Sequence, residues 1–111
     1  MEIRPVTDDY AVSGQIEPAD VQAVKDAGYR SIICNRPDSE DGAVPHDAIE
    51  AAARDAGLAF RYIPAISGQL TQANADDVAA ALDELEGPVF AYCRSGARST
   101  NLYMMAKQAQ G

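Results

Sequence analysis

The sequence is poor in the residues that cross-link small domains or hold metal ions. It has two cysteines, Cys34 and Cys93, a single histidine, His46, and no tryptophan. Two cysteines do not make a disulfide framework, and no Cys-x-x-Cys or histidine-rich spacing indicates a zinc site. We therefore predict no metal and no cofactor, and the free thiols favour a reducing, cytoplasmic compartment.

Long apolar runs and an excess of positive charge are also missing. No run approaches the ~18 apolar residues that cross a bilayer, and no apolar stretch near the start indicates a secretory signal. Nine Lys and Arg against seventeen Asp and Glu give a formal net charge of −8. Because that field repels polyanions, neither nucleic acid nor a membrane is an expected partner. A small anion would need a local positive pocket.

What the sequence does have is a regular alternation of strand-like and helix-like segments. Short apolar runs typical of strands occur at residues 10–14, 31–34, 60–63 and 88–92. Segments with helical periodicity, several of them bracketed by proline and glycine, occur at residues 18–28, 45–57, 72–86 and 97–110. The alternation predicts one α/β domain over residues 1–111, with a mostly parallel central sheet of four to five strands and helices on both faces.

The stretch that carries chemistry follows the last predicted strand. Cys93 leaves a buried strand, Gly96 permits a tight turn, and a helix then begins. Unpaired N–H groups at a helix start, together with the helix dipole, form an anion cradle that also favours a thiolate. Arg98 would add a bidentate fork. We therefore predict Cys93 and Arg98 as catalytic residues. The predicted anion-binding loop consists of Arg94, Ser95, Gly96, Ala97 and Ser99.

At this loop the sequence resembles known families. The six residues from Cys93 to Arg98, Cys-Arg-Ser-Gly-Ala-Arg, resemble the active loop of rhodanese sulfurtransferases. The wider pattern resembles the phosphatase-like domain family also found fused to metallo-beta-lactamase-type hydrolases, with matching stretches at residues 10–15, 28–38, 60–64 and 88–99. The resemblance implies a cysteine-phosphatase-like fold with Cys93 as nucleophile and the amides of residues 94–98 as the cradle.

Two departures from the tyrosine and dual-specificity phosphatase pattern bear on the chemistry. Those enzymes place the arginine six positions after the cysteine, whereas Arg98 falls five positions after Cys93 and position 99 is Ser99. They also supply an aspartic acid from a neighbouring loop, and residues 64–70 here contain no acid. General acid catalysis is worth about 10²–10⁴-fold, and sulfur transfer does not need it. Both departures favour sulfur over phosphate.

The sequence therefore predicts a sulfurtransferase that moves sulfane sulfur through a Cys93 persulfide. The expected partners are a small anionic sulfur donor, thiosulfate or a persulfide, and a thiol acceptor. Fusion to or association with a sulfur-oxidising metallo-hydrolase-like partner is also expected. The alternatives are a phosphatase that works through a phosphocysteine, and an inactive anion-binding module.

Three further residues have weaker signals. Arg36, in the turn after the second predicted strand, would face the rim of the site, or else pair with Asp38 or solvent. Cys34 would resolve a persulfide on Cys93, or else be a buried strand cysteine. His46, near the start of a predicted helix, would accept a proton, or else be a solvated or capping residue.

Overall fold

The computed structural model describes residues 1–110 of the chain. Gly111, the last residue of the predicted domain, lies outside the described residues. The strands are β1 (Arg4–Thr7), β2 (Tyr10–Ser13), β3 (Ser31–Cys34), β4 (Ala59–Tyr62) and β5 (Val89–Tyr92). They form one sheet in the order β1-β2-β5-β3-β4, in which only the β1–β2 pair is antiparallel. The predicted α/β architecture is confirmed.

The four predicted helices are present, with shorter boundaries in three cases. They are α1 (Val21–Asp26), α2 (His46–Asp55), α3 (Gln72–Glu84) and α4 (Ala97–Gln110). The proline that opens the first predicted helix starts a single 3₁₀ turn, Pro18–Asp20, instead of α-helix. Thr71 caps α3 by accepting a hydrogen bond from the Asn74 N–H, while Asn74 accepts one from the Thr71 N–H. This reciprocal cap sets the start of α3 where the sequence predicts it.

Helices cover both faces of the sheet, and each face has its own hydrophobic core. One core packs α3 and α4 against the sheet and contains Val12, Ile33, Val78 and Leu102. The other packs α1 and α2 against the opposite face and contains Val24, Ile32, Ile49 and Phe90. Successive side chains of a strand point to opposite faces of the sheet, so those of β3 alternate between the two cores, Ile32 in one and Ile33 in the other. The sheet is therefore packed on both faces below the loops at its edge.

The edge strand β1 is the element that the sequence does not predict. Its residues are mostly exposed and include Pro5, which has no N–H to give to a sheet. Such a strand lacks the apolar alternation by which strands are recognised, and it is tolerated only at an edge. Its consequence for the site is large, because β1 brings Arg4 beside the loop that follows β5.

The carboxyl ends of the parallel strands β2, β3 and β5 meet at one edge of the sheet. Ligand sites of open α/β sheets lie outside this edge. Within residues 1–110 no helix is both long and apolar enough to cross a bilayer. The cytoplasmic location stays a prediction.

Candidate active site

Cys93 is the first residue after β5, and both neighbouring segments hold it in place. Its N–H donates to the Ser13 carbonyl at the end of β2, at 3.3 Å. The chain then turns through Gly96, whose φ of +96° lies in the region that favours glycine, and α4 begins at Ala97. The predicted sequence of strand, tight turn and helix start is therefore present at Cys93.

The Cys93 sulfur lies at the centre of a ring of hydrogen-bond donors. The Gly96 N–H donates to Sγ at 3.1 Å. The N–H groups of Ser95 and Ser99 also face the sulfur. Burial alone would raise the pKa of the Cys93 thiol, but these donors outweigh it and the pKa is lowered. The loop is therefore built to hold a thiolate.

Alkylation tests this thiolate directly. Because the pKa of Cys93 is lowered, its reaction with iodoacetamide should reach half-maximal rate below the ~8.5 of a free cysteine. Burial raises the pKa of Cys34, so Cys34 should react slowly and only at alkaline pH. Peptide mass spectrometry after timed alkylation separates the two. If the alkylation midpoint of Cys93 lies at or above the pKa of a free cysteine, the N–H groups around the sulfur do not stabilise a thiolate.

Arg98 is only 7% exposed and its guanidinium is fixed by two other loops. Nη1 donates to Glu40 Oε2 at 2.8 Å and to the Ala65 carbonyl at 2.9 Å, with a longer contact to the Asn35 carbonyl at 3.4 Å. Nη2 donates to Glu40 Oε1 at 3.2 Å. Nε is buried and has no hydrogen-bond acceptor.

These contacts occupy one edge of the Arg98 guanidinium and leave the other free. A guanidinium has five N–H donors in a fixed plane. Both Nη1 protons and one Nη2 proton are taken, so the free donors are Nε–H and the second Nη2–H. These two point in the same direction, which is the geometry that binds two oxygens of a phosphate or carboxylate. A buried, unpaired fork of this kind is the clearest sign of an anion site.

Glu40 is a residue of the site that the sequence analysis missed. Its carboxylate bridges Arg98 and Arg36, with Arg36 Nε donating to Oε1 at 3.1 Å. Burial opposes ionisation of Glu40, but the hydrogen bonds and charges of the two arginines lower its pKa. Glu40 is therefore an ionised clamp that fixes Arg98. In the sequence it is one acid in an acidic turn, and nothing marks it as a partner of an arginine 58 positions later.

Arg36 faces the site, but not as a free rim charge. It is buried, and besides Glu40 it donates to Gln15 Oε1 at 3.0 Å and to the Asp41 carbonyl at 2.6 Å. The expected alternative, pairing with Asp38 or solvent, is not what the structure has. Asp38 instead pairs with His46, Nδ1 to Oδ2 at 2.7 Å, and His46 stacks on Tyr62. Arg36 thus shapes the loop that carries Glu40 and Asp41.

A cavity of about 620 Å³ opens above Cys93. It is lined by the loop residues Cys93, Arg94, Ser95, Ala97 and Arg98, and from other loops by Arg36, Glu40, Asp41 and Ser67. Ser67 is the contribution of residues 64–70, where the sequence has no acid. Acids are nevertheless present, because the loop after β3 brings Glu40 and Asp41 to the cavity lining.

Three predicted residues, Gly96, Ser99 and Cys34, are not part of the cavity lining. Ser99 is buried beneath the loop, and its hydroxyl donates to Asn35 Oδ1 at 2.8 Å. Cys34 is buried in the α1–α2 core, and its thiol donates to the Arg36 carbonyl at 3.4 Å. Among the described residues no cluster of three or more His, Cys, Asp or Glu side chains is arranged to hold a metal ion.

The sequence matches a family model over residues 2–110, that of the phosphatase-like domain of beta-lactamase hydrolase-like protein. The chain belongs to this family. The beta-lactamase hydrolase-like protein of Xylella fastidiosa strain Temecula1 is 38% identical over 112 residues, which cover 100% of this chain and 26% of that protein. The chain thus spans about a quarter of the length of the curated relative it matches. The predicted family resemblance is confirmed.

Solved structures agree on the fold. A Neisseria meningitidis protein described as a candidate phosphatase superimposes with a TM-score of 0.87 at 28% identity, covering 100% of this chain and 80% of that one. Pseudomonas aeruginosa TpbA, solved in complex with phosphotyrosine, superimposes with a TM-score of 0.67 at 16% identity, covering 90% of this chain and 58% of that one. The domain has the cysteine-phosphatase-like fold. These likenesses give no support to the predicted rhodanese-like character of the loop.

Proposed function

We propose that this domain hydrolyses phosphomonoesters through a phosphocysteine at Cys93. The observation that carries the proposal is the buried, unpaired Nε of Arg98, a residue that lines the same cavity as Cys93. A fork with two free donors matches two phosphoryl oxygens. The family and the two structural neighbours named above support phosphate chemistry, and they favour the phosphatase alternative over the sulfurtransferase that the sequence predicts.

The reaction has two displacement steps. The Cys93 thiolate attacks phosphorus, so that an S–P bond forms while the ester P–O bond breaks and the leaving oxygen takes a proton. Water then attacks the phosphocysteine and gives one proton to the carboxylate that protonated the leaving oxygen, the S–P bond breaks, and inorganic phosphate leaves with Cys93 again a thiolate. The amides of the loop and the free edge of Arg98 stabilise the phosphoryl oxygens in both steps.

Asp41 supplies the proton in this proposal. Glu40 cannot, because two arginines hold its carboxylate ionised. Asp41 also lines the cavity, and among residues 1–110 no basic side chain forms an ion pair with its carboxylate. The hydrogen bond from Arg36 to its carbonyl holds its backbone at the rim. An acid from the loop after β3 would thus replace the one that residues 64–70 lack.

The proposal predicts the outcome of side-by-side assays on one preparation. Aryl phosphates should be hydrolysed, and sulfur transfer from thiosulfate or a low-molecular-weight persulfide to cyanide or a thiol should be absent. Trapping with acid should yield a Cys93 adduct heavier by one phosphoryl group, and the Cys93→Ser variant is the control for both readouts. Sulfur transfer with a Cys93 persulfide and no phosphoester turnover would instead establish the chemistry that the loop length predicts.

The wider setting of the domain stays a prediction. The Xylella relative continues well beyond the part that this chain matches, which fits the expected fusion to or association with a metallo-hydrolase-like partner. The net charge of −8 favours small anionic substrates over polyanionic ones. The sulfur donor and thiol acceptor expected from the sequence become relevant only if the assays show sulfur transfer.

A further inference from the structure

The exposed edge strand reaches the catalytic loop through one side chain. Arg4 of β1 donates through Nη2 to the carbonyl of Ser95, 91 positions later in the sequence. Arg4 lies opposite Val12 of β2, and together with Ser95, Gly96 and Thr100 it lines a second, smaller cavity on the outer side of the loop. The guanidinium therefore approaches the loop from the side that faces away from the substrate cavity.

The carbonyl that Arg4 binds belongs to the peptide whose N–H holds the thiolate. The Ser95–Gly96 peptide presents its N–H to Cys93 Sγ at 3.1 Å and its C=O to Arg4. The N–H and C=O of a planar trans peptide point in opposite directions. A donor that fixes the C=O on the outer side thereby fixes the N–H toward the sulfur.

This peptide needs an external donor because glycine leaves it free to rotate. Gly96 has φ +96°, and glycine populates both signs of φ with similar ease. Rotation of the peptide would turn the Ser95 carbonyl toward the sulfur, where it would repel a thiolate or an oxyanion. The neighbouring Arg94 carbonyl is already held by a backbone donor, the Gln15 N–H at 3.4 Å. For the Ser95 carbonyl, the donor is the side chain of Arg4.

The space around Gly96 is matched to the same contact. A Cβ atom built on Gly96 would collide with the Arg4 guanidinium. The absence of a side chain at Gly96 therefore leaves room for the Arg4 guanidinium in this position.

We propose that Arg4 is a positioning residue that holds the Ser95–Gly96 peptide with its N–H toward Cys93. The inference rests on the anion cradle of the proposed function, whichever substrate the cradle takes. The N-terminal strand is then a support of the active loop in addition to an edge of the sheet.

The test is the pH profile of Cys93 alkylation, which needs no substrate. Arg4→Met should raise the alkylation midpoint by about 0.5–1 pH unit, as expected when one hydrogen bond to the thiolate is weakened but not lost. Arg4→Lys keeps a hydrogen-bond donor, so its alkylation midpoint should lie close to that of the unmodified protein. Arg30→Met is the matched control, because Arg30 is exposed and paired with Glu86 at the other end of the sheet.

Salt distinguishes orientation of the peptide from the through-space charge of an exposed guanidinium. At about 1 M salt the Debye length is ~3 Å, so a charge effect is screened while a fixed peptide is not. The shift of the alkylation midpoint in Arg4→Met should therefore persist at high salt. In a separate measurement, the protection of Cys93 from alkylation by inorganic phosphate should be roughly 3–10-fold weaker in Arg4→Met than in the unmodified protein. An unchanged midpoint, or a shift that disappears at high salt, would overturn the proposal. Absence of phosphatase activity would contradict the proposed function, but the alkylation test of Arg4 would still be valid because it needs no substrate.

Discussion

Replacing Arg98 by lysine should lower kcat/KM for aryl phosphates by about 10²–10⁴-fold while the protein stays folded. The free Nε–Nη2 edge offers two charge-assisted hydrogen bonds to a phosphoryl group, and each is worth roughly 1.5–3 kcal/mol. At 1.36 kcal/mol per tenfold change in rate, their sum gives the stated range. A lysine ammonium can still pair with Glu40 but cannot present a planar fork.

The control is Arg94→Lys in the same loop. Arg94 also lines the cavity but is exposed at its rim, so this exchange should change kcat/KM by only a few-fold. Steady-state kinetics on both variants, with circular dichroism to verify folding, give the comparison. Equal effects of the two substitutions, or an active Arg98→Lys variant, would show that the free edge of Arg98 does not bind the substrate.

The parts of the fold that are encoded locally were predictable. Pro45 and Gly57 bracket α2, and Thr71 with Asn74 caps α3, so both elements are fixed by residues close in sequence. The edge strand β1 is different, because its exposed residues carry no periodic signal. It forms because β2 offers a free edge, and that edge exists only once the sheet is assembled.

The same distinction applies to the site. Cys93 and Gly96 follow from a strand, turn and helix start within a few residues. Glu40 reaches Arg98 across 58 positions, Asn35 reaches Ser99 across 64 and Arg4 reaches Ser95 across 91. Each of these partners is an ordinary polar residue in its own segment. Their roles depend on which strands become neighbours, and the strand order β2-β5-β3 is a property of the whole sheet.

The preference for sulfur over phosphate rested on the same local view. Its two grounds are the spacing of five positions from Cys93 to Arg98 and the lack of an acid in residues 64–70. The structure brings acids to the cavity from the loop after β3. It also anchors Arg98 through Glu40, so the reach of its free edge depends on that anchor as well as on loop length. Neither departure from the phosphatase pattern therefore excludes phosphoester hydrolysis.

Replacing Asp41 by asparagine should slow the turnover of phenyl phosphate by about 10²–10⁴-fold, the usual worth of general acid catalysis. The effect should depend on the leaving group. Phenolate needs a proton as the P–O bond breaks, whereas dinitrophenolate does not. Turnover of 2,4-dinitrophenyl phosphate by the variant should therefore stay within a few-fold of that by the unmodified protein. A series of aryl phosphates whose leaving groups differ in acidity measures this dependence.

Asp77→Asn is the matched control, because it makes the same charge change on the exposed side of α3, away from the cavity. It should leave both substrates unaffected. Asparagine at position 41 keeps the backbone carbonyl that Arg36 binds, so the loop should retain its shape and only the acidic proton is lost. If Asp41→Asn slows every substrate equally, Asp41 shapes the cavity and the proton has another source. If it slows none, leaving groups depart unprotonated, and a reaction that needs no acid, sulfur transfer included, becomes the better account of this site.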